Sequence, residues 1–304
     1  MYFLNEIEKE LLVRKILQEV RENAVTDNLR GSAWHESPLK PYYEGLKLPM
    51  YLACSTYCQT RRDAYACKVM KISGERNREI QFGLFIHRLV PETINAFRMN
   101  PQETPEFETL NKKVLDAEKI EQKHHEEFTR NARAVFDATL NQLRERLSAM
   151  KASQPRMTGE DAMLTSVPFL VEHKVSGELL GLSENLSIDC YDYLRNIVFD
   201  LKVGVQNARK DDRLYPTGYA MVLESIYEIP VNIGCTVYVG FTKEGQLTVR
   251  KDIFAINDEL RSWWVEERDK KLEIIGEEKD PGRADACDKN CPYLEACKNE
   301  STGN

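Results

Sequence analysis

Two short apolar segments near the middle of the chain carry acidic residues, and they read Asn185-Leu-Ser-Ile-Asp-Cys-Tyr-Asp192 and Asn196-Ile-Val-Phe-Asp-Leu-Lys-Val203. Their length and their β-branched and aromatic content predict strands, and turn residues separate them. Side chains alternate along a strand, so Asp200 and Lys202 are predicted to share one face while the leucine between them points into the core. If the turn closes a hairpin, Asp189 reaches that same face.

The sequence around this hairpin predicts an α/β fold. A further strand is predicted at Val167–Val175, and a helical stretch through Glu224 follows the hairpin. Strands are then predicted near residues 235–240 and 247–254, with a closing helix from Asp258 to about Ile275. Three strands, a helix and more strands in this order indicate a mixed sheet flanked by helices.

The N-terminal half of the chain is predicted to be helical. Apolar residues recur at helical spacing over residues 4–20, and a loop rich in Gly, Pro and aromatic residues follows through Pro49. From about Thr104 to Met150 the pattern is strongly charged with apolar stripes, which predicts two helices inserted ahead of the strands.

The composition is that of a globular protein with no general affinity for polyanions. The 304 residues suffice for one core with attachments. A net charge of -7 means that any nucleic-acid contact must come from a local basic groove. The first ten residues place acids where an export signal carries bases and an apolar run, so we expect a cytoplasmic location and no membrane partner.

The acidic and basic residues of the hairpin suit a metal-dependent hydrolase. Asp189 and Asp200 offer the hard oxygen ligands that Mg²⁺ and Mn²⁺ prefer, and Lys202 can orient or activate a water. Glu172, on the first strand, is interpreted as an ordinary strand carboxylate. An Asp-x-Lys pair taken alone is more often a surface ion pair, so neighbouring motifs must support the metal site.

The cysteines predict a second, sulfur-based site. A chain without an export signal uses cysteines as metal ligands more often than in disulfides, because the cytosol keeps thiols reduced. Three of the eight crowd the end of the chain, namely Cys287, Cys291 and Cys297. An early cysteine would supply the fourth ligand, and the candidates are Cys54, Cys58 and Cys67. Four sulfurs can hold either zinc or an iron-sulfur cluster.

The order of the motifs resembles that of RecB-like nucleases in the PD-(D/E)xK superfamily. Their pattern is a Gly-x-x-x-His, an Asp on a strand, an Asp/Glu-x-Lys and a Tyr on the next helix. This chain has Gly83 followed by His87, then Asp189, then Asp200-Leu-Lys202, then Tyr219.

The resemblance implies a role for each matching residue. Metal ligands would be His87, Asp189, Asp200 and the backbone carbonyl of Leu201, and the catalytic residues would be Asp189, Asp200, Lys202 and Tyr219. Asp192 is the alternative to Asp189. Tyr215 stands where the family often has Gln, which leaves open the polar contact made there.

The cysteine pattern resembles the CRISPR-associated branch of these nucleases, the fourth Cas protein family, and most closely its archaeal type I-A members. Cys58 opens a Cys-x-x-Arg motif with Tyr65 further on, and the nuclease motifs lie between it and the three late cysteines. The resemblance implies a [4Fe-4S] cluster on Cys58, Cys287, Cys291 and Cys297. The adjacent Arg61 and Arg62 either engage phosphate or pair with nearby acids such as Asp63 or Glu75.

The same resemblance implies a Mg²⁺- or Mn²⁺-dependent DNA exonuclease that acts on single-stranded ends and processes fragments for CRISPR spacer acquisition. Its partners would be the adaptation integrase and related Cas proteins. The alternative is a noncatalytic subunit that binds DNA ends or acts as a scaffold in the adaptation complex. Residues 1–160 would form a helical region, 161–275 the nuclease core and 276–304 the cluster-binding segment.

Overall fold

The computed structural model describes residues 1–204, 208–242, 244–287 and 291–299. Its strands form one mixed sheet in the order β1-β2-β3-β4-β5. β3 and β4 pair in parallel, while the other neighbours are antiparallel. The predicted strands and the α/β class are thereby confirmed. The strands are β1 (Phe169–Val175), β2 (Leu186–Asp192), β3 (Ile197–Val203), β4 (Ile233–Phe241) and β5 (Leu247–Ala255).

Helices account for most of the remaining described residues. Those before the sheet are α1 (Glu6–Leu11), α2 (Leu17–Glu22), α3 (Met50–Cys54), α4 (Arg62–Lys68), α5 (Arg78–Met99), α6 (Phe107–Glu118), α7 (His125–Ser153) and α8 (Gly159–Ser166). Those after β3 are α9 (Leu214–Tyr227), α10 (Asp258–Gly276) and α11 (Leu294–Asn299). α6 and α7 are the two predicted charged helices, and α10 is the predicted closing helix. A π-helical turn at Leu12–Ile16 joins α1 to α2.

Helices cover both faces of the sheet. Phe85 of α5 and Phe128 of α7 belong to the same buried apolar cluster as Phe199 of β3. Val198, the neighbour of Phe199, belongs to a second cluster, which includes residues of α9 and α10 such as Trp264. β3 is therefore apolar on both faces over its first half, as a strand covered by helices on both sides must be.

α9 makes the crossover between the parallel strands β3 and β4, and a buried ionic network fixes its position. Glu224 of α9 is 1% exposed and pairs with Arg261 of α10, which is 0% exposed. The two oxygens lie 2.6 and 2.9 Å from the guanidinium nitrogens. Arg30 and the amides of Gly31 and Val231 also donate to Glu224. Because a buried charge is costly unless paired, this network locks α9 to α10 and to the N-terminal loop.

Within the described residues, no helix combines the length and the hydrophobicity that crossing a membrane requires. The division of the chain at residues 160 and 275 stays a prediction.

Candidate metal centre

Asp189 and Asp200 lie opposite each other at the point where β2 and β3 separate. The ladder between these strands ends at the pair Cys190 and Phe199. One further step in the same register sets Asp189 against Asp200. The backbone amide of Leu201 donates a hydrogen bond of 2.7 Å to Oδ2 of Asp189. The hairpin thus brings the two carboxylates to one face of the sheet.

His87 approaches Asp189 from α5. Its Nδ1 lies 3.3 Å from Oδ1 of Asp189. Burial disfavours the charge on both groups, but Asp189 and Asp200 together raise the pKa of His87. His87, the Leu201 amide and Lys202 together lower the pKa of Asp189. Helix and hairpin therefore contribute one imidazole and two carboxylates to the same place.

Asp200 and Lys202 form a buried ion pair beside these groups. Lys202 Nζ lies 3.0 Å from Oδ2 of Asp200, and that oxygen has no hydrogen bond of acceptable geometry. Burial raises the pKa of Asp200 to about 6, which Lys202 opposes and Asp189 reinforces. Burial alone would lower the pKa of Lys202, but the charge of Asp200 raises it above its usual value. The ammonium therefore stays protonated.

α9 closes the site with two tyrosines one helical turn apart. Lys202 Nζ lies 3.3 Å from the centre of the Tyr215 ring. Tyr219 is 9% exposed, and burial together with the charges of Asp189 and Asp200 raises its pKa well above normal. Tyr215 therefore presents its ring face to Lys202, whereas its hydroxyl is 3.5 Å from the carbonyl oxygen of Tyr51.

Asp192, the alternative to Asp189, has a different environment. Its Oδ1 accepts hydrogen bonds from the amides of Leu194 and Arg195, and its Oδ2 pairs with the Arg195 guanidinium at 2.8 Å. These contacts hold the turn between β2 and β3. The structure thus brings Asp189, and not Asp192, beside His87.

Glu172 also lies at the edge of this centre, at an irregular point of β1. Its φ of 49° is left-handed, which is uncommon for a residue other than glycine. The flanking pairs of Val171 with Cys190 and His173 with Ile188 place it opposite Asp189. Glu172 and His87 line a common cavity of about 370 Å³. The position of Glu172 on a predicted strand does not indicate that it lies near Asp189 and His87.

Among the C-terminal cysteines, Cys291 lies within electrostatic range of Cys58 and Cys297. Burial, together with the neighbouring thiols of Cys58 and Cys297, raises the pKa of Cys291 to about 11. Cys287 lies 3.8 Å from the carbonyl oxygen of Ala284. No disulfide joins any of the eight cysteines, all of which lie in the described ranges.

The other early cysteines have other neighbours. Cys54 is buried, with its sulfur 3.4 Å from the carbonyl oxygen of Leu214, and Cys67 lies 3.7 Å from the Tyr51 hydroxyl. Cys58 contributes to the electrostatic environment of Cys291, whereas Cys67 contacts Tyr293 of the same C-terminal segment.

Long-range contacts hold the loop that carries Cys58. Thr60 donates 2.8 Å to the carbonyl oxygen of Gly282. Arg61 and Arg62 form bidentate pairs with Glu267 and Asp280, respectively. The arginines therefore pair with acids, but with distant ones and not with Asp63 or Glu75, because the fold brings α10 and the C-terminal segment beside them.

Sequence reasoning missed Lys271, which anchors the same loop. It is 0% exposed, and its Nζ lies 3.1 Å from the carbonyl oxygen of Ala53 and also contacts Ser55. A lysine on an amphipathic helix gives no sign in the sequence that it is buried.

Across the described ranges, no three His, Cys, Asp or Glu side chains are already arranged to hold a metal ion. Metal binding would require the side chains of His87, Asp189 and Asp200 to move closer together.

Comparison with known proteins places the chain in the class of CRISPR-associated nucleases. The family described as CRISPR-associated exonuclease Csa1 matches residues 1–301, and the chain belongs to this family. A relative named CRISPR-associated exonuclease Csa1 from Saccharolobus solfataricus is 30% identical over 290 residues, which cover 94% of this chain and 97% of the relative. A relative of the same name from Thermoproteus tenax is 26% identical over 303 residues, covering 98% of this chain and 100% of the relative.

Proposed function

We propose that the protein is a Mg²⁺- or Mn²⁺-dependent DNA exonuclease with a PD-(D/E)xK core. The observation that carries this proposal is the convergence of His87, Asp189, Asp200 and Lys202 from one helix and two strands. The relatives' shared name, which includes the word exonuclease, supports the same activity.

His87, Asp189, Asp200 and the backbone carbonyl of Leu201 would hold the cation. The donor set fits, because one imidazole and hard oxygens suit Mn²⁺ and Mg²⁺. Oδ2 of Asp200 is buried, and its 3.0 Å contact with Lys202 Nζ lacks the geometry of a hydrogen bond, so the oxygen keeps a lone pair that a cation would coordinate. A bound divalent ion would polarise a phosphate oxygen and activate an attacking water.

Lys202 would act as a charge at the reacting centre. The neighbouring carboxylate of Asp200 raises the pKa of Lys202, which favours the ammonium form. An ammonium held beside the scissile phosphate would orient the water and stabilise the negative charge that develops in the transition state. Tyr219, whose raised pKa keeps the phenol neutral, would donate a hydrogen bond to the phosphate.

The substrate of this site would be the end of a single DNA strand. The family's link to CRISPR supports a role in trimming fragments before their integration as spacers, with the adaptation integrase and related Cas proteins as partners. The net charge of -7 restricts phosphate binding to the neighbourhood of the cation and Lys202, because general polyanion affinity needs an excess of bases.

The cysteines Cys58, Cys287, Cys291 and Cys297 would hold a [4Fe-4S] cluster. The thiols of Cys58, Cys291 and Cys297 are within electrostatic reach of one another, and thiolates suit iron-sulfur clusters and zinc alike. The cluster would tie the loop after α3 to the C-terminal segment, and stabilise the fold by closing a long stretch of chain. An anaerobic preparation should be brown and contain iron. A colourless preparation that contains zinc would overturn the cluster assignment.

The nuclease proposal is tested with end-labelled single-stranded DNA and Mn²⁺. The wild-type enzyme should progressively shorten the labelled strand. In Asp200→Ala and Lys202→Ala the rate of cleavage should fall at least about a hundredfold, as it does when one transition-state donor is removed. Lys210→Ala is the matched control, because this exposed lysine pairs with Glu259 on the surface. Equal degradation by all four proteins would remove the catalytic assignment. Binding of DNA without cleavage by wild type would favour the noncatalytic subunit.

A further inference from the structure

We infer that Tyr215 is a positioning residue for Lys202, and that the face of its ring, and not its hydroxyl, holds the ammonium at the reacting centre. This inference rests on the proposed nuclease function, since it assigns a role within the same site.

The contact between the two side chains is unusually close. Lys202 Nζ lies 3.3 Å from the ring centre of Tyr215. The other cation-ring contacts in the described ranges span 4.8–6.0 Å. The lysine side chain is also only 18% exposed, so water competes weakly for the ammonium. A desolvated ammonium over an aromatic face is held more strongly than an exposed one.

The ring and Asp200 together fix the lysine. A lysine side chain has a flexible stem and carries a point charge with rotatable donors, so a single ion pair does not define its position. Asp200 attracts the ammonium from the same strand at 3.0 Å, and Tyr215 confines it from the facing helix. Because Asp200 on β3 and Tyr215 on α9 both contact the ammonium, its remaining N–H groups are available to substrate and water.

The hydroxyl of Tyr215 contributes little to this arrangement. Its distance of 3.5 Å to the carbonyl oxygen of Tyr51 is at the limit of a hydrogen bond. The ring is instead placed by the first turn of α9, where the carbonyl of Leu214 accepts a contact from the thiol of Cys54 in α3. Removing the hydroxyl should therefore leave Lys202 in place, whereas removing the ring should release it.

The test compares Tyr215→Phe with Tyr215→Leu on end-labelled single-stranded DNA with Mn²⁺. Phenylalanine keeps the ring face, and leucine keeps an apolar side chain without it. We expect Tyr215→Phe to retain kcat within about twofold, and Tyr215→Leu to lose about tenfold or more in kcat, the factor that corresponds to about 1.4 kcal/mol. KM should barely change, because the positioned ammonium acts on the transition state and not on DNA binding. The ring also packs against the buried core, so both variants are assayed well below their melting temperatures.

Fluorinated phenylalanines at position 215 provide a second set of variants that keep the size of the ring. Each added fluorine reduces the negative electrostatic potential over the face of the ring, so log kcat should fall stepwise while the fold is preserved. Two results would overturn the inference: a Tyr215→Leu enzyme as fast as wild type, or a Tyr215→Phe enzyme as slow as Tyr215→Leu. A Lys202→Ala enzyme as active as wild type would instead refute the proposed function, so the two failures are distinguishable.

Discussion

The substitution Glu224→Gln should destabilise the protein strongly, because it neutralises one side of a buried ionic network. Glu224 accepts two hydrogen bonds from Arg261, at 2.6 and 2.9 Å, one from Arg30 at 2.9 Å and two from backbone amides. Glutamine keeps the volume but has one acceptor oxygen, and its amide group points donors at a guanidinium that is 0% exposed. Breaking a buried pair in this way typically costs about 3–5 kcal/mol.

Denaturant unfolding monitored by circular dichroism measures this loss as a shift of the midpoint at an unchanged slope. Glu259→Gln is the matched control. Its exposed pair with Lys210 should contribute no more than about 1 kcal/mol. If the two variants unfold at the same denaturant concentration, the network does not hold α9 as argued.

The contribution of Glu224 should also depend on pH. Burial alone would raise the pKa of Glu224, but the hydrogen bonds and charge of Arg261 outweigh burial and lower it. A lowered folded pKa means that the stabilisation is fully present above the ordinary pKa of glutamate, and is lost as pH falls through the folded value. The difference in unfolding free energy between wild type and Glu224→Gln should therefore shrink only in acid. A difference in unfolding free energy that grew on acidification would contradict the lowered pKa of Glu224.

Two further pairs of substitutions test the packing of α9 and the cysteine cluster. A Cβ on Gly218 would lie 2.3 Å from Nε1 of Trp264, so Gly218→Ala should cost about 1–3 kcal/mol in thermal unfolding. Gly83→Ala in α5 meets nothing within 4 Å and should stabilise by up to about 1 kcal/mol. Equal effects would refute the packing argument. Cys58→Ala should abolish the visible absorbance of the anaerobically purified protein while Cys67→Ala keeps it, and the reverse result would make Cys67 the fourth ligand.

The predictable part of this fold follows from local periodicity. Alternation along Ile197–Val203 predicts that Leu201 is buried, and it is 1% exposed. The same period places Asp200 and Lys202 together, and their ion pair has the expected geometry. The sequence predicts a closing helix from Asp258 to about Ile275, and the helix extends over Asp258–Gly276. These features depend on residues close in sequence, for which a regular period suffices.

The parts that escaped prediction depend on tertiary contacts. Asp189 and Asp192 differ only in their position along β2, and the choice between them depends on Asp192 capping the turn. Nothing in the sequence shows that the Tyr215 ring faces Lys202. The partners of Arg61 and Arg62 are more than 200 residues away along the chain, beyond the reach of any local pattern.

The most direct test of the metal centre is a crystal structure of the protein soaked with Mn²⁺ and measured at a wavelength where manganese scatters anomalously. We predict an anomalous peak within coordination distance of His87, Asp189 and Asp200, with Lys202 adjacent and unligated. A peak at another location, or none beside Asp189 and Asp200 in fully loaded crystals, would contradict the assignment of this cluster as the catalytic metal centre.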